Sequence, residues 1–190
     1  AGGGTGGHFF PALAVAKRWK ELEGNLQVIF VGTSRGIEAK KIPETEFSLE
    51  LIETPSLKNK KCFGKIKVLL QMPFLFLKSW RIIKEVKPVI VLGVGGYASF
   101  PVVFTAAVLG YPTAIMEQNS YPGVANRILG LFVKKIFVSF EENKKYFSKK
   151  KTAYQKHPSW RRHQILGSRD SKTQTLAKHD SRYQRTSFSK

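Results

Sequence analysis

The chain has 190 residues, enough for one domain with a real core, and 42% of them are apolar, which is ordinary for a globular protein. The formal net charge of +19 is not ordinary and points to an anionic partner: a nucleic acid, a phosphorylated substrate or an acidic membrane surface. The single cysteine, Cys62, excludes an internal disulfide, and the apolar run Ser99–Met116 is too broken by Pro101, Gly110 and Pro112 to read as a membrane span.

The first eleven residues place Gly2, Gly3, Gly4, Gly6 and Gly7 around Thr5 and lead to His8. They show no basic-then-apolar signal pattern. Pro11 is expected in the first turn of a helix with Leu13, Ala14, Ala16, Trp19 and Leu22 on its apolar positions, ending at Gly24. Gln27–Val31 reads as a buried parallel strand, Gly36–Ile42 as a short helix before Pro43, and Phe47–Ile52 as a further strand. A basic loop (54–65) precedes a long helix from about Ile66 to Val86, where Pro73 is expected to kink it or start a new segment. Strand Val89–Leu92 enters a second glycine turn, 93–99. A helix to Leu109, strand Thr113–Met116, helix Val124–Leu131, strand Ile136–Val138 and a short helix to about Phe147 follow.

Alternating helices and strands with short connections predict an α/β domain, Rossmann-like, with a doubly wound parallel sheet. Such a domain needs a strand before its first glycine loop, so most of a first strand is expected to be missing ahead of Ala1. The turns 2–8, 93–99 and 117–119 all follow strands and should share one rim, where ligands of such sheets bind. After Lys151 the pattern stops. Residues 151–190 carry ten Lys/Arg against two Asp/Glu, with few aliphatic residues. The expected organisation is therefore a domain over 1–151 and a disordered basic tail over 152–190.

Gly2, Gly4 and Gly7 formally fit a G-x-G-x-x-G fingerprint. The dinucleotide reading fails because the second strand ends in Gly32-Thr33-Ser34 without the acid that holds a ribose. No Gly-Lys-Ser/Thr follows, so this is no P-loop. A glycine turn feeding a helix still offers N–H donors and a positive dipole end to an anion. His8 is a candidate base or a ligand for a phosphate or hydroxyl; the plainer reading is a histidine bonded to its own loop. Gly93–Ser99 offers a second set of donors, and two such turns suit a pyrophosphate. Glu117, Gln118 and Asn119 end an apolar strand and suit the hydroxyls of a sugar. Lys65, Leu69, Leu70, Phe74, Leu77 and Trp80 read either as a core helix with a solvated leader or as a docking face for an anionic bilayer. Cys62 is assigned no chemistry, and no metal-ligand spacing is present.

Gly3-Gly4-Thr5-Gly6-Gly7-His8 with Phe10-Pro11-Ala12-Leu13-Ala14-Val15-Ala16 resembles the opening of the bacterial peptidoglycan glycosyltransferases of glycosyltransferase family 28. Val31-Gly32-Thr33, Lys87-Pro88 through Val91–Ser99, and Glu117-Gln118-Asn119 with Pro122–Asn126 resemble them too, in order. The resemblance covers roughly residues 1–150. It implies the N-terminal, acceptor-binding half of a GT-B fold and a metal-free, inverting transfer of N-acetylglucosamine from UDP-GlcNAc to lipid I, making lipid II. It also implies a peripheral location at the cytoplasmic face of the bacterial inner membrane, on an anionic surface. By the same resemblance Thr5, Gly6, Gly7 and Asn119 would contact the UDP-sugar. The glycine turns 2–7 and 93–99, the second with Gly95, Gly96, Tyr97 and Ser99, would cradle the acceptor pyrophosphate. His8 and Glu117 are the two candidate bases, and Tyr97 and Asn126 would support the rim.

No cofactor beyond the donor sugar is implied. The family's linker and second domain do not follow Lys151, and the abrupt change there is what a frameshift would give. Little or no transferase activity is therefore expected of this chain alone. Two other readings stand beside this one: a non-enzymatic membrane- or lipid-binding module, and, last, a nucleic-acid binder carried by the basic tail. The tail lacks the aromatic interleaving of such proteins, so no nucleic-acid partner is expected.

Overall fold

The computed structural model describes residues 1–52 and 62–154, without the side chains of 62–70. The basic loop up to Lys61, the side chains of Lys65, Leu69 and Leu70, and the tail from Gln155 onward lie outside the described residues. The elements are α1 (Gly6–Leu22), β1 (Ile29–Gly32), α2 (Ile37–Lys41), β2 (Ser48–Leu51), α3 (Cys62–Val86), β3 (Val91–Gly93), α4 (Ser99–Val108), β4 (Thr113–Glu117), α5 (Val124–Phe132), β5 (Lys135–Val138) and β6 (Thr152–Tyr154). Short 3-10 turns at Ile42–Glu44 and Glu141–Tyr146 complete the described chain.

Every strand pair is parallel. β1 pairs with β2, and β3, β4, β5 and β6 form a second sheet in that order. The two sheets are bridged by the first two residues. Gly2 N–H donates to Val31 O at 2.9 Å on the β1 side. Ala1 nitrogen donates to Leu92 O at 2.6 Å, and Ala1 O accepts from Val94 N–H at 3.0 Å on the β3 side.

Side-chain alternation along β1 sends neighbouring residues to opposite faces. Phe30 joins Phe9, Ala16, Ile42 and Phe47 in one core, under α1 and α2. Val31 joins Leu75, Ile83, Val102, Val103 and Ile115 in another, under α3 and α4. Helices thus cover both faces, as the doubly wound expectation requires. Each fully buried side chain of this kind contributes about 1.5–3 kcal/mol. The chain returns sharply from α4 to β4 because Gly110, at φ +83°, closes the helix. Gly110 N–H donates to Ala107 O and Tyr111 N–H to Ala106 O.

The structure corrects three boundaries. The first helix starts at Gly6, so Pro11 lies inside it rather than at its first turn. A proline there removes one backbone donor and presses its ring on the carbonyl four residues back. That residue is Gly7, which carries no side chain to crowd the turn further. The long helix starts at Cys62 and continues through Pro73 as one element. Third, strand structure extends past Lys151, because Thr152–Tyr154 pairs with Ile136–Val138.

Candidate functional site

The first glycine turn and the second lie against each other. Gly3 N–H donates to Gly95 O at 3.3 Å. A Cβ on Gly96 would run into the Gly3 carbonyl, and one on Gly95 would come within 2.8 Å of His8 Cε1. Only glycine permits this approach. Thr5 caps α1 without using its hydroxyl, and both Thr5 and Gly7 are exposed. The N–H groups of Gly6 and Gly7 stand in the first turn, where a helix supplies no acceptor of its own.

Glu117 ends β4 and turns its carboxylate into the chain that follows. It is 1% exposed. Oε1 accepts from Asn119 N–H and Asn119 Nδ2, both at 3.0 Å; Oε2 accepts from Gly123 N–H at 3.1 Å and Asn126 Nδ2 at 3.0 Å. Asn126 is itself buried and also donates to Met116 O at 3.2 Å. Four donors on one carboxylate fix the shape of the 117–123 turn and leave neither oxygen idle.

Gln118 points the other way, toward the glycine turns. Its Nε2 donates to Val94 O at 2.9 Å and lies 2.5 Å from His8 Nδ1. Reversing the amide would set Gln118 Oε1 against the Val94 carbonyl, two acceptors face to face. The amide nitrogen therefore serves both partners, and His8 Nδ1 is the acceptor. A neutral imidazole that accepts at Nδ1 carries its proton on Nε2. Gln118 Oε1 is buried without a partner among the described residues, a cost set against the two bonds its nitrogen makes.

The structure thus brings Thr5, Gly6, Gly7, His8, Gly95, Gly96 and Gln118 to one rim. Tyr97 and Asn119 are exposed beside them. Ser99 does not reach it. Its side chain is fully buried at the start of α4, and a Cβ on Gly93 would lie 2.7 Å from Ser99 Oγ. A hydroxyl following a glycine turn reads as a rim group, but the helix phase turns this one inward.

Two residues escaped the sequence reading. Glu38, on α2, is 1% exposed and anchors the first glycine turn. Its Oε2 accepts from Gly4 N–H at 2.8 Å, and its Oε1 accepts from Thr33 N–H at 2.8 Å and Thr33 Oγ1 at 3.2 Å. Side chains at Gly3, Gly32 or Gly36 would occupy the space of that carboxylate. The signal was Gly32-Thr33-Ser34-Arg35-Gly36-Ile37-Glu38: an acid placed just after a glycine-flanked strand end. It binds loop backbone, not a ribose. Asn143 is the other; it is fully buried and donates from Nδ2 to Asn119 O at 2.6 Å.

On α3, Phe74 (67% exposed), Leu77 and Trp80 stand in solvent with Arg81 and Lys84. Phe76 packs on Phe100 and Phe104, and Phe104 on Phe132, carrying apolar surface from α3 to α5. Among the described residues, no helix is long and apolar enough to cross a membrane, and no group of three His, Cys, Asp or Glu is placed to hold a metal ion.

The model of the glycosyltransferase family 28 N-terminal domain matches residues 1–138. A protein of Myxococcus xanthus named UDP-N-acetylglucosamine--N-acetylmuramyl-(pentapeptide) pyrophosphoryl-undecaprenol N-acetylglucosamine transferase is 46% identical over 151 residues, covering 80% of this chain and 39% of that protein. A protein of the same name from Bdellovibrio bacteriovorus is 48% identical over 146 residues, covering 77% of this chain and 41% of that one. The crystal structure of Acinetobacter baumannii MurG matches with a TM-score of 0.65 and 28% identity, over 80% of this chain and 43% of that chain. The chain spans about two fifths of the length of these relatives.

Proposed function

Because the chain belongs to the glycosyltransferase family 28 N-terminal domain family, we propose that it is the acceptor-binding half of a GT-B enzyme that moves N-acetylglucosamine from UDP-GlcNAc to lipid I. The observation that carries this reading is the contact between the two glycine turns, which puts Thr5, the first turn of α1 and His8 on one rim. Backbone donors, a hydroxyl and a helix N-terminus suit the oxygens of a pyrophosphate. The exposed Asn119 and Tyr97 flank the place where a sugar would meet it.

In the transfer the acceptor hydroxyl oxygen bonds to the anomeric carbon, the bond from that carbon to UDP breaks, and the hydroxyl proton passes to a base. The geometry favours His8 over Glu117 for contact with substrate, since Glu117 is buried under four donors. Glu117 acts as a positioning residue for Asn119 and the turn after it. While Gln118 holds Nδ1, His8 Nε2 carries a proton and meets an anionic oxygen as a donor. His8 becomes a base at Nε2 only when Gln118 releases Nδ1. Transfer further needs a donor-binding half beside this one.

The apolar face of α3 with Arg81 and Lys84 supports docking on an anionic bilayer, a place where a lipid-linked acceptor is met. Replacing Phe74, Leu77 and Trp80 with Ser should abolish co-sedimentation with anionic liposomes; unchanged binding would remove this face from the account.

A chimera tests the function. Residues 1–150 replace the matching segment of the Myxococcus protein, and transfer of labelled N-acetylglucosamine to a lipid I analogue is followed. The chimera should turn over, and its His8→Ala variant should lose at least a hundredfold in rate. Full activity without His8, or a chimera that does not turn over, contradicts the reading.

A further inference from the structure

We infer that Asn143 is a positioning residue: together with Glu117 it fixes the Asn119 amide so that its free edge reads the hydroxyls or the acetamido group of a sugar. This rests on the proposed function and concerns the same rim. Asn119 follows the end of β4, and Asn143 lies in the 3-10 turn Glu141–Tyr146 after β5, the neighbouring strand. The two strand exits are joined at their base, where Ser139 N–H donates to Glu117 O at 3.0 Å. Beyond that point Asn143, fully buried, donates from Nδ2 to Asn119 O at 2.6 Å. The reverse amide would set Asn143 Oδ1 against that carbonyl, two acceptors face to face, so the donor is the nitrogen.

Most of the polar groups of Asn119 are thereby committed. Its N–H and one Nδ2 hydrogen go to Glu117 Oε1, both at 3.0 Å, and its carbonyl takes Asn143. What remains is Oδ1, which meets no partner among the described residues, and the second Nδ2 hydrogen. An acceptor and a donor thus stand together on one exposed amide. A hydroxyl or an amide both gives and takes a hydrogen bond, and matches that edge. A phosphate only accepts, and would leave Oδ1 without a donor. The edge therefore suits the sugar beside the pyrophosphate, while the glycine turns suit the pyrophosphate itself.

Packing gives no reason for an amide at 143. Its Oδ1 is buried without a partner among the described residues, a cost that an apolar residue of the same size would not carry. What the amide adds is the hold on Asn119 O. Glu117 grips Asn119 from within its own turn; Asn143 grips it from the exit of a second strand. A binding group held from two sides meets its ligand without first having to be ordered.

The test uses the full chain and two pairs of probes, with affinities read from amide NMR titrations. One pair is a water-soluble lipid I analogue and the same lipid pyrophosphate without sugar; the other is UDP-GlcNAc and UDP. Asn143→Leu keeps the volume and removes only the amide. It should weaken at least one sugar-bearing probe by roughly fivefold or more and leave its sugar-free counterpart unchanged. The pair that responds tells whether the edge reads the acceptor's sugar or the donor's. Asn119→Ala should lose as much, and the double variant no more. Equal losses within each pair, no loss in either, or additive losses overturn the inference. Asn143→Ala gives the same readings if the leucine variant does not fold. A parent chain that binds none of the probes contradicts the proposed function, and the positioning claim is then decided by hydrogen exchange. The backbone and side-chain amides of Asn119 should exchange roughly tenfold faster in Asn143→Leu than in the parent; unchanged exchange overturns the claim.

Discussion

Gly96 lies at φ +84°, and a Cβ there would meet the backbone oxygen of Gly3 in the facing turn. Gly96→Ala therefore suffers two separable penalties. The left-handed backbone costs an alanine roughly 1–2 kcal/mol. The collision adds roughly 1–3 kcal/mol, since its partner is main chain and cannot rotate away. Gly4 and Gly110 supply the control: both have positive φ, +89° and +83°, with nothing within 4 Å of a Cβ. Gly4→Ala and Gly110→Ala should each lose roughly 1–2 kcal/mol in urea denaturation, and Gly96→Ala roughly 2–5 kcal/mol. The difference measures the contact between the turns. If Gly96→Ala is no worse than Gly4→Ala, the turns do not pack as described, and the shared rim loses its basis.

Glu38→Gln sets an amide donor among three donors, and should cost roughly 1–3 kcal/mol while speeding exchange of the Gly4 and Thr33 amides. Unchanged exchange would mean that the carboxylate does not hold the loop. Glu117→Gln should likewise destabilise by roughly 1–3 kcal/mol, because one of its two oxygens becomes a donor facing donors; a variant as stable as the parent contradicts the positioning role.

The order of elements was legible because short apolar runs bounded by glycine and proline leave little freedom in a parallel sheet. The rim was legible for the same reason: three polar or glycine-rich turns after strands must meet at one sheet edge. Phase was harder. Ser99 and Tyr97 sit two residues apart in one turn, yet one is buried and the other exposed, which only the start of α4 decides. Glu38 is an acid on a short charged helix, alike in sequence to the solvent-facing Glu44 and Glu46. Its burial depends on the space that three distant glycines leave. Pro11 marks helix starts in general, but here the helix begins a turn and a half earlier, at Gly6. The last strand was missed because three residues of Thr152–Tyr154 carry no period of their own, and pairing with β5 alone defines them.

The central claim is that the glycine rim binds the pyrophosphate of a lipid-linked sugar acceptor. The most direct measurement is amide NMR of the full chain titrated with a water-soluble lipid I analogue. The account predicts saturable shifts at Gly6, Gly7, His8 and Gly96, with the His8 nitrogen shifts showing a proton on Nε2 before and during binding. Shifts confined to other surfaces, or none at saturating analogue, would contradict it.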